Sequence, residues 1–247
     1  MNAALRAHTR SLIAIVLITL FGCGLAEAQN TSSVSGPAVS ANEREVEYRL
    51  GWRPGEDGAA DSFAHRFDYG FSLNGRRAIK VFANFDDGPS RDLRFDNLNA
   101  EYLIELSPEN APFWKTGIRF DARLSNGPDP ERLGFNWLNQ WQLTGRLRAR
   151  AQFIATRQFG DAADDAIDFE VRSSLIWKAG GGYDLSLLSF ANLGSSDDFG
   201  GRNHVQEIGP TLSGPLPNGY GWTIGTLFGV TDTAPDQDIR IWISKSF

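Results

Sequence analysis

The sequence predicts an all-β protein: an antiparallel up-and-down transmembrane β-barrel of about twelve strands, within a range of roughly ten to fourteen. Apolar and polar side chains alternate along most of the chain with a period of two. The alternating segments are about ten residues long, the length of a tilted strand that spans a bilayer. Successive connections between them alternate in length and charge. Beyond the N-terminal segment, no convincing helical periodicity competes with this pattern.

The first 28 residues have the three parts of a secretory signal peptide. Arg6 and Arg10 precede an apolar stretch at residues 11–21, and residues 26–28 (AEA) fit the small-x-small pattern of a cleavage site. Removal of this segment leaves 22 basic and 29 acidic side chains, a net charge of −7, and takes away the single cysteine, Cys23. The alternative is that Cys23 becomes a lipidated N-terminus, because residues 20–23 loosely resemble a lipobox. Residues 29–42, rich in Ser, Pro and Gly, are predicted to form a flexible leader.

Residues 43–247 carry the strands of the predicted barrel. In the first of them Val46, Tyr48 and Leu50 share an apolar face, while charged residues alternate with them. Eleven further segments repeat this arrangement, and their apolar faces begin at Phe63, Ile79, Ala100, Trp114, Phe135, Leu147, Ile167, Tyr183, Val205, Tyr220 and Ile239. The segment at residues 205–212 has the weakest alternation.

Alternation alone fits both a soluble barrel with an apolar interior and a membrane barrel with an apolar exterior. The connections favour the membrane barrel. Residues 53–61, 86–92, 125–132, 158–166, 193–202 and 231–238 are mostly long and together carry a charge of −12, whereas the intervening turns are mostly shorter and sum to +1. Aromatic side chains are predicted near the two rims, with Trp52, Phe63, Phe135 and Trp137 at the acidic one and Trp114, Trp141, Trp177, Tyr183, Tyr220 and Trp222 at the other.

The C-terminal strand ends on an aromatic residue. Ile239, Ile241, Ile243 and Phe247 alternate in a pattern that resembles the assembly signal of bacterial outer-membrane β-barrel proteins, although Lys245 is charged where that pattern is usually apolar. The resemblance is to the class, porin-like barrels of about twelve strands. It implies residence in the cell outer membrane, contact with its lipid and lipopolysaccharide, and insertion by the barrel-assembly machinery.

An apolar exterior turns the charged face of each strand into the lumen. We expect a basic wall and partly acidic strands to line it, formed by Lys115, Arg119, Arg123, Arg146, Arg148 and Arg150 and by Glu45, Glu47, Glu101 and Glu105. Opposed charges of this kind orient polar solutes in porin constrictions. The sequence therefore predicts a narrow porin-like channel for small polar or anionic solutes. A formal charge of −6 argues against a nucleic-acid partner.

Two alternatives remain open. The lumen charges can instead pair and close the barrel, which would make it a structural or surface-interaction protein. An outer-membrane lipid-modifying hydrolase would need a histidine base, and downstream of the signal peptide only His65 and His204 are available. No compact serine–histidine motif accompanies them. We accordingly assign no catalytic residues, and we expect neither a metal nor a cofactor.

Overall fold

The computed structural model describes residues 31–55, 60–88, 91–200 and 204–247, except for the side chain of Arg91. The predicted signal peptide lies outside these residues. The described chain forms twelve strands: β1 Arg44–Arg53, β2 Ser62–Asn74, β3 Arg77–Gly88, β4 Arg91–Glu105, β5 Trp114–Ser125, β6 Glu131–Gln142, β7 Leu147–Phe159, β8 Ile167–Gly180, β9 Tyr183–Ser195, β10 Gln206–Pro215, β11 Tyr220–Gly229 and β12 Gln237–Ser246. The predicted fold class is confirmed. The helical structure of the described residues consists of one 3₁₀ turn, Pro217–Gly219. No helix in these residues is long and apolar enough to cross a membrane.

Every strand is antiparallel to its two neighbours, and β1 pairs with β12 to close the barrel. At this seam Glu45 lies opposite Ser246, and Trp52 lies opposite Ile239. We call the end where β1 begins and β12 ends the terminal rim, and the opposite end the acidic rim. The predicted difference in connection length has exceptions: residues 106–113 join β4 to β5 at the terminal rim, whereas β3 and β4 extend so far that only residues 89–90 separate them at the acidic rim.

The outer surface is the apolar face of the strands, as predicted. Phe67, Phe153 and Ile243 project from three different strands and are 54%, 43% and 47% exposed. Their alternating neighbours Asp68, Gln152 and Trp242 are buried inside the barrel. An exposed apolar band around a closed barrel is the arrangement that hydrocarbon stabilises, because every strand edge is paired and no polar side chain of the lumen meets lipid.

Aromatic side chains pair across neighbouring strands at both rims. Trp52 and Phe63 stack with their ring centroids 6.3 Å apart at the acidic rim, and Tyr183 meets Trp222 edge-on at 6.4 Å near the terminal rim. Lys245 places its ammonium group 4.6 Å from the ring centroid of Tyr220. This contact accommodates the charge that interrupts the C-terminal pattern. Trp137, expected near the acidic rim, lies instead at the middle of β6, opposite Ile118 and Phe153.

Candidate functional site: the barrel lumen

The lumen wall formed by β1, β2 and β3 carries a compact group of charges. Asp68 is fully buried and accepts a hydrogen bond of 3.0 Å from Nε of Arg66. Arg49 lies 2.5 Å from Glu47, and the ammonium group of Lys80 lies 3.2 Å from Asp68. Lys80 is also 3.8 Å from both Glu45 and Glu47. The two predicted glutamates of β1 are therefore neutralised by cations of their own wall.

The acidic side chains of β4 lie beside the basic ones of β5. Lys115 is 3.0 Å from Glu105, and Arg119 is 3.4 Å from Glu101 and 2.7 Å from Asp121. The register explains these pairs, since Glu105 lies opposite Gly117 and Glu101 opposite Asp121, within reach of the neighbouring cations. The predicted basic and acidic residues thus pair along neighbouring strands at this wall, where we had expected them to face each other.

The remaining predicted basic residues differ in their surroundings. Arg148 is 3.5 Å from Asp184, and Arg123 is 3.5 Å from Asp96. Arg150 donates to the neutral side-chain oxygen of Gln140 at 2.9 Å. Arg146 lies in the turn before β7 and is exposed, so it is not part of the lumen wall.

Four charged residues that were not among the predicted lumen-lining ones are buried on the inner face: Arg49, Arg66, Asp238 and Arg240. Arg240 has no exposed surface, lies 3.5 Å from Asp238 and stacks over the ring of Phe190 at 4.7 Å. The period of two could have located it, because it alternates with Ile239 and Ile241. No sequence pattern indicated that the side chain of Arg240 would be completely buried.

Residues 31–42 are the described part of the predicted leader, and we call them the leader. Residues 31–37 are buried or half-buried inside the barrel, whereas residues 40–42, next to β1, are exposed. Arginines of four strands donate to it: Arg49 Nη1 to the carbonyl of Thr31 at 2.8 Å, Arg240 Nη1 to the carbonyl of Ser32 at 2.6 Å, Arg150 Nη1 to the carbonyl of Val34 at 3.3 Å, and Arg119 Nη1 to Oγ of Ser35 at 3.1 Å. In the opposite direction, the amides of Ser35 and Val39 donate to Gln152 and Glu105 at 3.2 and 2.9 Å. The leader therefore runs from the terminal rim to the middle of the lumen. Its predicted flexibility concerns motion and stays a prediction.

Apolar contacts also hold the leader in the lumen. Val34 is buried in a cluster with Leu188, Phe190 and Leu227, which project inward from β9 and β11. Pro37 is completely buried. A Cβ atom at Gly117 would lie 3.0 Å from Cβ of Pro37, so glycine is what lets the leader approach β5 this closely.

A cavity of about 540 Å³ lies between the leader and the wall, in the half of the lumen near the terminal rim. Residues 33–36 and residues 38–39 of the leader border it. Its charged lining comprises six cationic side chains, Arg49, Arg66, Lys80, Arg119, Arg148 and Arg150, and four anionic ones, Glu43, Glu45, Glu101 and Asp184. The space is therefore polar and has a basic excess.

Among the described residues, neither histidine is hydrogen-bonded to a serine or a carboxylate. His65 faces outward, with its Nδ1 2.8 Å from the hydroxyl of Tyr48. His204 is buried in the loop before β10, where burial lowers the pKa of its imidazole, and neither ring nitrogen has a hydrogen-bond partner in the described part of the chain. Oγ of Ser195 accepts the amides of Asp197 and Asp198 at 3.3 and 3.2 Å. The described residues of this loop form no serine–histidine pair.

A closed twelve-stranded antiparallel barrel with an apolar exterior and a charged lumen is the fold of outer-membrane porins, and solved porin structures are similar to it. The KdgM porin, whose structure was also solved in complex with disordered oligogalacturonate, superposes with a TM-score of 0.61 at 8% identity, over 82% of this chain and 99% of that one. The NanC porin gives a TM-score of 0.62 at 12% identity, over 81% and 98%. No family model and no curated protein matches the sequence. At these identities the likeness establishes the fold, which agrees with the predicted class and its location in the outer membrane.

Proposed function

We propose that this protein is a narrow channel that lets small polar or anionic solutes cross the outer membrane. The main support for this proposal is the cavity of about 540 Å³, whose wall holds six cationic and four anionic side chains. A basic excess in a confined, low-dielectric space raises the local concentration of anions and offsets their loss of hydration. The porin fold supports a transport role without naming a solute.

In this proposal the terminal rim faces the periplasm and the acidic rim faces outward among lipopolysaccharide. Solutes in the cavity meet Arg148 and Arg150, which lie on β7 beside Asp184 and Gln140. Arg150 is the stronger candidate for an anion contact, because its hydrogen bonds to Gln140 and Val34 go to neutral acceptors that an anion outcompetes.

The test is anion selectivity in planar bilayers, measured as the reversal potential in a potassium chloride gradient. Arg150→Gln and Arg148→Gln should lower the ratio of chloride to potassium permeability. Arg146→Gln is the matched control, since this arginine is exposed in a turn two residues before Arg148 and should leave the ratio unchanged. Equal selectivity in all four proteins would contradict an anion-selective lumen.

A closed barrel is the second candidate, favoured by the ion pairs that line β1 to β5. Paired side chains satisfy one another and can fill a narrow barrel. Closure predicts no conductance from the correctly folded full chain, and none from a variant that lacks the leader.

A further inference from the structure

We propose that the leader is a displaceable plug that occupies the lumen arginines as a neutral substitute for an anionic solute, and that such a solute opens the channel by taking its place. This inference rests on the proposed channel function and adds a mechanism by which the channel opens. The ligand class is a small anion with carboxylate or phosphate oxygens.

The acceptors of the leader stand where the oxygens of an anion would bind. Three of the four arginine contacts end on main-chain carbonyl oxygens, those of Thr31, Ser32 and Val34, and the fourth ends on the hydroxyl of Ser35. The donors come from β1, β5, β7 and β12, so they surround the segment from several sides of the lumen. Guanidinium groups that converge in this way match an ion with several oxygens.

The leader holds these donors without any charge of its own. Residues 31–42 read TSSVSGPAVSAN and contain no ionisable side chain. Hydrogen bonds from a guanidinium group to a carboxylate or phosphate are stronger than those to a neutral carbonyl. Arg49, Arg119 and Arg240 are already ion-paired with Glu47, Asp121 and Asp238. An anion therefore gains most at Arg150, whose acceptors Gln140 and Val34 are neutral, whereas a neutral sugar gains no such advantage.

The remaining contacts of the leader are few enough to be broken and remade. Val34 buries its side chain against Leu188, Phe190 and Leu227, Pro37 packs against Gly117, and two amides bind Gln152 and Glu105. The segment joins β1 at Arg44, so after displacement it stays tethered at the terminal rim. Such a short tether keeps its effective concentration on the order of millimolar, which returns it to the lumen once the anion has left.

The leader also borders a cavity in which a solute from the terminal rim would meet three of these arginines. Arg49, Arg119 and Arg150 line the cavity of about 540 Å³ and at the same time donate to the leader. A solute in the cavity is thus already beside three of the four donors. Binding and displacement can proceed from the same side.

The first test uses the full chain with one cysteine introduced at a time, the signal peptide and its Cys23 having been removed. In Val34→Cys the thiol replaces a buried side chain, and Ala41→Cys is the matched control at an exposed position of the same segment. We would measure the rate at which a small water-soluble methanethiosulfonate reacts in detergent, with citrate or inorganic phosphate as the anion and with sodium chloride at the same ionic strength as the reference. We expect Val34→Cys to react slowly in chloride and several-fold faster with citrate or phosphate, while Ala41→Cys reacts quickly throughout.

The second test compares the conductance of the full chain with that of a variant that lacks residues 31–40, with folding checked by heat-modifiable migration on gels. We expect a several-fold larger conductance from the shortened protein. If the full chain and the shortened protein show equal, measurable conductance, the leader is not a plug but the channel function is supported. If neither protein conducts, both the plug and the proposed channel function are refuted. If the shortened protein does not fold, the labelling decides: a Val34→Cys rate that is the same in chloride, citrate and phosphate overturns the proposal.

Discussion

The guanidinium group of Arg240, on the last strand, donates a 2.6 Å hydrogen bond to the main-chain carbonyl of Ser32, which precedes it by 208 positions. Arg240 has no exposed surface, and its other contacts are Asp238 and the ring of Phe190. The strand that closes the barrel against β1 is therefore also bonded to the leader inside it. One arginine links the seam of the barrel to the segment that fills its lumen.

Replacement of Arg240 by methionine should strongly destabilise the protein. The substitution keeps an apolar stem beside Phe190 but removes the cation near Asp238, and breaking one side of a buried ion pair costs about 3 kcal/mol. Denaturant unfolding in detergent, followed by tryptophan fluorescence, would measure the free energy of unfolding. Arg157→Ala is the control, because Arg157 and Asp165 form an exposed pair at 3.3 Å and its loss should have no measurable effect. Similar stability of the two variants would contradict the role given to Arg240.

Two adjacent residues of β8 test which face of the barrel meets lipid. Leu175 is 38% exposed on the outer face, whereas Ser174 is buried beside the lumen cavity. An arginine on the lipid face costs about 2–4 kcal/mol at the bilayer midplane and about 0–1 kcal/mol near the interface. Leu175 lies two residues from Trp177 at the terminal rim, so Leu175→Arg should lower the stability in lipid bilayers by an amount between these values. Ser174→Arg should be tolerated better, because the cavity offers polar space. The reverse order of stability, measured by unfolding from vesicles, would contradict an outward apolar face.

The C-terminal residue should matter for insertion more than for the stability of the folded barrel. The amide of Phe247 donates to the carbonyl of Arg44 at 3.0 Å, while its side chain is 63% exposed and packs little. We expect deletion of Phe247 to reduce the yield of heat-modifiable barrel in cell envelopes, and Phe247→Tyr to preserve it. A normal yield from the deletion would exclude the terminal aromatic as an assembly signal.

The strands could be predicted because their signal is local. Lipid on one side and a polar lumen on the other impose a period of two on each strand separately, so most elements are visible without knowledge of their partners. The weakly alternating segment at residues 205–212 became β10, and its surroundings show why the pattern is faint. Gly209 lets this strand approach Thr226 and Leu227 of β11 too closely for any Cβ atom, and Pro210 has no amide to donate.

The contents of the lumen depend on register and on distant contacts, which no local pattern contains. The inward charges of β4 and β5 were predicted, but their pairing followed only from the register that sets Glu105 beside Lys115. The leader has the composition of a linker, and its contact with Arg240 joins opposite ends of the chain. Sequence reasoning therefore located the lumen without revealing what occupies it.

Lys80 offers a prediction about pH. Its ammonium group lies within 3.8 Å of Glu45, Glu47 and Asp68, whose carboxylate oxygens lie within 4.8 Å of one another. In Lys80→Met these three negative charges would keep only the arginines of β1 and β2 as compensation, so we expect a loss of about 1–3 kcal/mol in the free energy of unfolding at neutral pH. The sign of the pH dependence follows from the repulsion among these carboxylates. As the pH falls and the carboxylates take up protons, the repulsion in the folded variant weakens. The loss in free energy of unfolding caused by Lys80→Met should therefore become smaller between pH 7.5 and pH 4.5. Lys178→Met, at an exposed position near the terminal rim, is the matched control and should show no such change. A deficit that stays constant or grows on acidification, in denaturant unfolding at both pH values, would show that Lys80 does not neutralise this group.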